Sequence, residues 1–159
     1  MRMSRRLGLY RLQDIYLVKS GVENTSVTGG LTAYAYVPST SNSSPAIPTV
    51  SKGTSGITLT LDSSGANGGT YFAEKPISLT QHKTLNIKVT ELELETGGYV
   101  RVGATSSKAN KYVVAAVKTI SGTGTVSVDI SDLGGKYYLF VSLYGSYDKK
   151  ITFTDWWLS

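Results

Sequence analysis

The stretch LNIKVTELELETGGYVRVGA, residues 85–104, decides the fold because apolar and polar residues alternate on both sides of the turn sequence ETGG. Leu85, Ile87 and Val89 alternate with polar residues, and Val100 and Val102 continue this pattern after the turn. A period of two is typical of strands with one buried and one solvated face. The stretch therefore predicts two antiparallel strands, each covered by a second layer on one face.

Short segments of the same kind follow one another along most of the chain, separated by turns rich in Gly, Asn and Ser, such as SSGANGG (63–69). The predicted strands cover residues 31–37, 57–61, 71–73, 85–92, 99–104, 112–117, 126–130, 137–143 and 151–157, after a first strand within 7–18. No apolar run has helical spacing, so we expect helices of one turn at most. The pattern predicts an all-β, antiparallel two-sheet β-sandwich of jelly-roll type. We expect residues 137–143 to form a central strand beside the last strand.

The composition excludes several classes of site. The 159 residues are enough for one domain with its own core. The chain has no Cys, which excludes disulfides, thiolate nucleophiles, zinc fingers and iron–sulfur clusters. Its one histidine, His82, lies between Gln81 and Lys83 and is expected to be an exposed turn residue. A site that needs two imidazoles from one chain is therefore excluded.

The net charge of +5 is concentrated at the N-terminus. Residues 1–20 contain five cations and one carboxylate, whereas the other 139 residues carry 11 positive and 10 negative charges. We therefore divide the chain into a basic, extended N-terminal arm or first strand (1–20) and a β-sandwich domain (21–159). The arm residues expected to bind a partner protein are Arg2, Arg5, Arg6, Leu7, Leu9, Tyr10 and Arg11. The nearly neutral domain argues against nucleic acid as a partner.

The N-terminal segment lacks the features of a secretion signal. Arg11, Gln13 and Asp14 interrupt the apolar residues between 7 and 18, so there is no continuous apolar region. No stretch elsewhere has enough apolar residues to cross a bilayer. We expect neither a signal peptide nor a membrane partner.

The acidic residues give little support to an enzyme. Glu91, Glu93 and Glu95 form the main cluster, but in a strand they share one face and are best explained as a solvated edge that discourages aggregation. One His and no GxSxG motif argue against a serine triad. Asp62, Asp129 and Asp155 leave a structural calcium ion open, without an aspartate-rich calcium loop to support it. We expect no catalytic residue, no metal ligand and no cofactor.

Aromatic residues are the more informative class, because exposed Tyr and Trp rings can stack on sugars or anchor a protein partner. The candidates for glycan or interface contacts are Tyr138, Tyr144, Tyr147 and Trp157. Trp156 and Trp157 are adjacent in a predicted strand and must face opposite sides, so at most one of them is needed for the core.

Four stretches carry a resemblance to a known group of proteins. They are LVKSGVENTSVTGG (17–30), PISLTQHKTLNIKVTELE (76–93), SVDISDLGGKYYLFVSLY (127–144) and ITFTDWWLS (151–159). Together they resemble small structural proteins of tailed bacteriophages and of prophages in Gram-positive gut bacteria. The shared motifs are turn and strand patterns, and the usual Trp of the group is replaced by Leu31.

The resemblance implies a sandwich similar to carbohydrate-binding modules, displayed on a virion and made in the cytoplasm of the bacterial host. It implies a non-enzymatic decoration or adhesion protein of the tail or capsid surface, present as a homo-oligomer or in many copies. Its partners would be other virion proteins and possible host or mucosal glycans. The same strand patterns also resemble secreted carbohydrate-binding modules, and a stand-alone module is the alternative. We favour the virion protein because a secreted module is expected to carry a signal peptide or an attached enzyme.

Overall fold

The computed structural model of the protein describes residues 13–38, 45–62, 66–110 and 113–159. The strands within these ranges are β1 (Ile15–Lys19), β2 (Val22–Glu23), β3 (Leu31–Tyr34), β4 (Thr49–Gly53), β5 (Gly56–Leu61), β6 (Ala66–Ala73), β7 (Ile77–Ser78), β8 (Thr84–Leu94), β9 (Gly98–Thr105), β10 (Val114–Ile120), β11 (Gly124–Asp129), β12 (Lys136–Ser146) and β13 (Lys149–Leu158). A helical turn, α1 (Thr25–Thr28), precedes β3. No helix in these ranges is long and apolar enough to cross a membrane.

The described strands form two antiparallel sheets. In the seven-stranded sheet the strands pair in the order β11-β8-β13-β1-β2. β5 also pairs with β13, and β4 pairs with β5. The six-stranded sheet has the order β10-β9-β12-β6-β3, and β7 pairs with the start of β12. The prediction of an all-β, antiparallel two-sheet sandwich is confirmed.

The core lies between the two sheets and uses the inward-pointing half of each strand. Leu139, Val141 and Leu143 of β12 are fully buried in it, as are Phe153 and Trp156 of β13. Burying one large apolar side chain stabilises a fold by about 1.5–3 kcal/mol. The alternation in the sequence therefore sets both the strands and the face that each of them buries.

The first described strand belongs to the sandwich. β1 pairs with residues 156–158 of β13, and its Leu17 and Val18 are fully buried. The predicted N-terminal segment, 1–20, thus includes a core strand, and its boundary at residue 20 stays a prediction. The arm residues Arg2, Arg5, Arg6, Leu7, Leu9, Tyr10 and Arg11 lie outside the described residues.

The expected pairing of the last strand with residues 137–143 is wrong. β12 is central, as predicted, but it lies between β9 and β6, whereas β13 lies in the other sheet. A turn at Tyr147, with φ of 58°, separates the two strands. The two strands therefore contribute apolar side chains to the same core from opposite sheets.

The predicted turn SSGANGG is also partly wrong, because residues 66–69 extend β6 and pair with residues 143–146 of β12. The glycines here allow another segment to approach closely. The backbone N–H of Ala46 donates to the carbonyl of Gly68 at 2.8 Å. A Cβ atom at Gly69 would lie 2.0 Å from the carbonyl oxygen of Ala46, so a larger residue would displace that segment.

Candidate functional site

The four aromatic residues singled out in the sequence do not form one site. Tyr138 and Tyr144 lie on the outer face of the six-stranded sheet, whereas Tyr147 lies in the turn between β12 and β13 and is 48% exposed. Trp157 lies on the other sheet, on the side opposite the buried core, where its ring stacks on Tyr16 with centroids 5.7 Å apart. Only Tyr138 and Tyr144 therefore share a surface.

That surface is lined by aromatic rings, and we call it the aromatic face. It comprises Tyr34 of β3, Phe72 of β6, Tyr99 of β9, and Tyr138, Phe140 and Tyr144 of β12. Strand alternation places these residues opposite the inward-pointing ones, and register sets Phe140 beside Phe72 and Tyr144 beside Tyr99. Phe72 and Phe140 are fully buried but are not part of the core between the sheets.

The segment after β3 covers the centre of the aromatic face. The rings of Phe72 and Phe140 lie 5.9 Å apart, and the ring of Tyr36 stacks over Phe72 at 6.3 Å. Val37 and Pro38, which follow, are buried. The centre of the face is therefore shielded from solvent, and its two ends are the more open parts.

One end of the face carries a compensated pair of charges. The Nζ atom of Lys108 lies 5.2 Å from the ring centroids of both Tyr34 and Tyr138 and 3.2 Å from Oε1 of Glu74. The Tyr34 hydroxyl donates to the same carboxylate oxygen. This hydrogen bond, together with Lys108, lowers the pKa of Glu74. The carboxylate is thus already paired within the protein.

The other end of the face is an exposed stacked pair with a cation. The rings of Tyr99 and Tyr144 have centroids 5.3 Å apart and planes inclined by 24°, and Tyr99 is 46% exposed. The guanidinium of Arg101 lies 4.6 Å from the Tyr144 centroid. Flat rings with an adjacent cation offer both stacking area and hydrogen-bond donors to a polar ligand.

Sequence analysis missed most of this face. It did not select Tyr34, Phe72, Tyr99, Arg101 or Phe140 as site residues. One signal was present, because Tyr99 and Arg101 alternate with the buried Val100 and Val102 just as Tyr138 and Tyr144 alternate with inward-pointing residues. The pairing of β9, β12, β6 and β3 into one sheet was not visible in the sequence, and this pairing is what brings the rings together.

The acidic cluster behaves as a solvated edge. Lys150 Nζ lies 3.4 Å from Oε1 of Glu91 and 3.4 Å from Oε2 of Glu93. A hydrogen bond from Thr152, followed by the charge of Lys150, lowers the pKa of Glu91, whereas a general acid needs a raised pKa. β11 pairs with β8 only as far as Val89, so these glutamates lie on a stretch paired on one side within the described residues.

His82 is buried, so the expectation of an exposed turn residue is wrong. Its backbone N–H donates to the Leu79 carbonyl at 3.0 Å, and the preceding Gln81 has φ of 73°. This tight turn directs the imidazole inward, and burial lowers its pKa.

The aspartates considered for calcium have separate roles. Both the hydroxyl and the backbone N–H of Ser131 donate to Asp129, at 2.6 and 2.9 Å. Asp155 accepts a hydrogen bond from the backbone N–H of Ser20 at 2.8 Å. Asp62 follows β5 in another part of the sheet. In the part of the chain that the structure describes, no group of three or more His, Asp or Glu residues could hold a metal ion.

Comparison with known proteins finds similarity of structure but not of sequence family. No family model matches the sequence, and no curated protein matches it. Among solved structures, the chain is similar to a low-affinity xylan-binding module, CBM86, from the xylanolytic gut symbiont Roseburia intestinalis. The TM-score is 0.51 at 8% sequence identity, over 82% of this chain and 96% of that chain. The two chains share a fold.

Proposed function

We propose that this protein is a carbohydrate-binding module that holds glycans on the aromatic face of its six-stranded sheet and catalyses no reaction. The observation that carries the proposal is the open end of that face, where Tyr99 and Tyr144 stack beside Arg101. Aromatic rings bind the apolar faces of sugars, and neighbouring polar groups bind their hydroxyls. The fold shared with a xylan-binding module supports the same function.

The proposal replaces the four predicted contacts with a different set. Tyr138 and Tyr144 remain candidates, joined by Tyr99 and Arg101, whereas Tyr147 and Trp157 lie elsewhere. Contacts of this kind are individually weak, and binding gains strength when several modules act together.

The test is to titrate the purified protein with soluble xylan, β-glucan and mannan oligosaccharides by NMR or calorimetry. In Tyr99→Ala we expect binding about 3- to 10-fold weaker, because one stacking ring is lost. Tyr147→Ala is the matched control, since Tyr147 is 48% exposed and Tyr99 is 46% exposed, but Tyr147 lies in a turn. The control is expected to bind as the wild type does.

Tryptophan fluorescence separates the two sheets. Trp156 is buried, and Trp157 lies on the outer side of the seven-stranded sheet, so a glycan on the aromatic face should leave tryptophan emission nearly unchanged. Strong quenching that disappears in Trp157→Phe would instead place the ligand on the other sheet. Failure of every glycan to bind would contradict the proposed function itself.

The virion role remains a prediction from the sequence. It depends on the arm residues between Arg2 and Arg11, which lie outside the described residues, and the similar structure reported above is a xylan-binding module, not a virion protein. Virion partners, oligomerisation and location on a particle are therefore proposals to be tested separately from glycan binding.

A further inference from the structure

A buried polar row crosses the aromatic face between two rows of rings. Ser142 of β12 lies opposite Thr70 of β6 on one side and opposite Arg101 of β9 on the other. The side chains of Thr70 and Ser142 are completely buried, and neither hydroxyl has a hydrogen-bond partner within the described parts of the chain. The Nε atom of Arg101 is also buried, and no described residue accepts a hydrogen bond from it.

Such a row is unusual in a folded protein. Nearly all buried polar side-chain atoms form hydrogen bonds, and leaving one unpaired costs about 1–3 kcal/mol. Here three unpaired atoms follow one another across neighbouring strands, next to stacked aromatic rings. Polar groups left unpaired beside a stacking surface are the arrangement that a ligand with both polar and apolar faces would satisfy.

Arg101 brings an uncompensated charge to this row. Among the described residues it forms no ion pair, and its Nη2 donates instead to the carbonyl oxygen of Pro38 at 3.2 Å. The cation at the other end of the face, Lys108, is paired with Glu74. A guanidinium binds a carboxylate more strongly than a neutral carbonyl, because the charge-assisted bond can be bidentate.

The rest of the face is also positive. Lys136 lies two residues before Tyr138 on the same side of β12 and is exposed. Among the described residues, the charged side chains of this face are Arg101, Lys108, Lys136 and Glu74. Three cations and one carboxylate give the face an excess of positive charge. An acidic ligand would be attracted to this side of the molecule.

We propose that the aromatic face selects glycans that carry carboxylate groups, with a uronic acid as the bound sugar. In this complex Pro38 and the residues before it, which cover the row in the free protein, move aside, and the sugar carboxylate replaces the Pro38 carbonyl as the acceptor for Arg101. The hydroxyls of Ser142 and Thr70, uncovered by that movement, bind sugar oxygens, and Tyr144 and Tyr99 stack against the ring. The inference rests on the proposed function, because it names the class of sugar bound at that site.

The test compares a xylo-oligosaccharide that carries a glucuronic acid branch with the unbranched oligosaccharide of the same backbone length. We expect the acidic ligand to bind at least 5-fold more tightly to the wild type at low salt, and this preference to shrink as salt rises. In Arg101→Gln the preference should disappear, whereas Arg101→Lys should retain part of it. Lys88→Gln removes an exposed cation of the other sheet and is the matched control, with the preference unchanged.

Ser142→Ala provides a second, independent readout. Because the hydroxyl has no hydrogen-bond partner among the residues that the structure describes, its removal should not lower the free energy of unfolding, yet it should weaken binding of the acidic glycan. A loss of stability without a loss of affinity would show that Ser142 is only structural and would overturn its role here.

The outcomes separate the inference from the function on which it rests. One outcome is that the wild type binds the two oligosaccharides with equal affinity, that Arg101→Gln does not change either affinity, and that Tyr99→Ala weakens both. This result would overturn the acidic preference and leave glycan binding in place. Absence of binding to either ligand contradicts the proposed function. A polyglutamate peptide that binds as tightly as the acidic glycan would show that charge alone is recognised, and would overturn the assignment to a sugar.

Discussion

Lys149 is a completely buried lysine at the turn between β12 and β13. Its Nζ atom donates to Oδ1 of Asn67 at 2.8 Å, to the Gly145 carbonyl at 3.1 Å, and to the Tyr147 carbonyl. Burial lowers the pKa of this ammonium group. The three acceptors match its three donors, so the side chain ties together β6, the end of β12 and the start of β13.

Replacing Lys149 tests this role. In Lys149→Met the three acceptors lose their donor, and we expect the free energy of unfolding to fall by about 1–3 kcal/mol, measured by urea denaturation. The neighbouring Lys150→Met is the control. The ion pairs of Lys150 with described residues are exposed ones with Glu91 and Glu93, so its loss should change stability by less than about 1 kcal/mol. Equal effects of the two substitutions would contradict the proposed role of Lys149.

The buried His82 predicts a dependence of stability on pH. Burial lowers the pKa of its imidazole below the ordinary value of about 6.5, an effect that Asp14 opposes. The unfolded chain therefore binds a proton more readily than the folded one, so stability is retained above the unfolded pKa and is lost as the pH falls through and below it.

The measurement is the free energy of unfolding between pH 7.5 and pH 5 for the wild type and His82→Gln. We expect the wild type to lose stability toward acid more steeply than the variant over this range. If the free energies of unfolding of the two proteins change in parallel with pH, His82 does not contribute to the pH dependence. This conclusion holds even if the variant is less stable at neutral pH.

At the scale of the strand, the packing of β10 against β9 depends on Gly103. A Cβ atom at this position would lie 2.2 Å from the Ala116 carbonyl oxygen and 3.0 Å from the Phe140 ring. Gly103→Ala should lower the free energy of unfolding by about 1–3 kcal/mol, because β10 must shift. Gly122, in the β10–β11 turn, has nothing within 4 Å of such an atom, so Gly122→Ala is the matched control. An equal fall in the free energy of unfolding in Gly103→Ala and Gly122→Ala would contradict a specific packing role for Gly103. It would point instead to a general effect of replacing glycine.

The strand scale also shows what the sequence can and cannot predict. Alternation predicted β8 and β9 to within one or two residues, because apolar residues that enter the core recur at every second position along much of each strand. It did not predict that residues 66–69 are strand, because the glycines there were interpreted as a turn. In the structure they leave room for the segment at Ala46 to pack against the strand. The aromatic face was missed for a related reason: its residues become neighbours only through pairings between strands distant in the sequence.

At the scale of the molecule, β1 makes the end of the predicted N-terminal segment part of the folded domain. Removing residues 1–20 should lower the melting temperature strongly, because Leu17, Val18 and the pairing of β1 with β13 are lost. Thermal unfolding followed by circular dichroism measures this effect, and an unchanged melting temperature would contradict it.

The proper test of the arm is a shorter truncation, of residues 1–12, because it keeps β1. If the full chain self-associates or joins phage particles and the chain lacking residues 1–12 does not, the predicted arm mediates assembly. If neither associates, the arm hypothesis is wrong, and glycan binding is unaffected by that result.

The position of β13 has a consequence for biosynthesis. β13 lies between β8 on one side and β1 and β5 on the other, and the ribosome makes it after every other strand of the sandwich. Until β13 is made, β1, β5 and β8 lack the strand with which all three pair, so the seven-stranded sheet is incomplete. The apolar side chains on its inner face are then not fully buried. Contacts this distant in the sequence form slowly, and unpaired strand edges aggregate. The nascent sandwich therefore has to be kept apart from other chains until translation has passed residue 158.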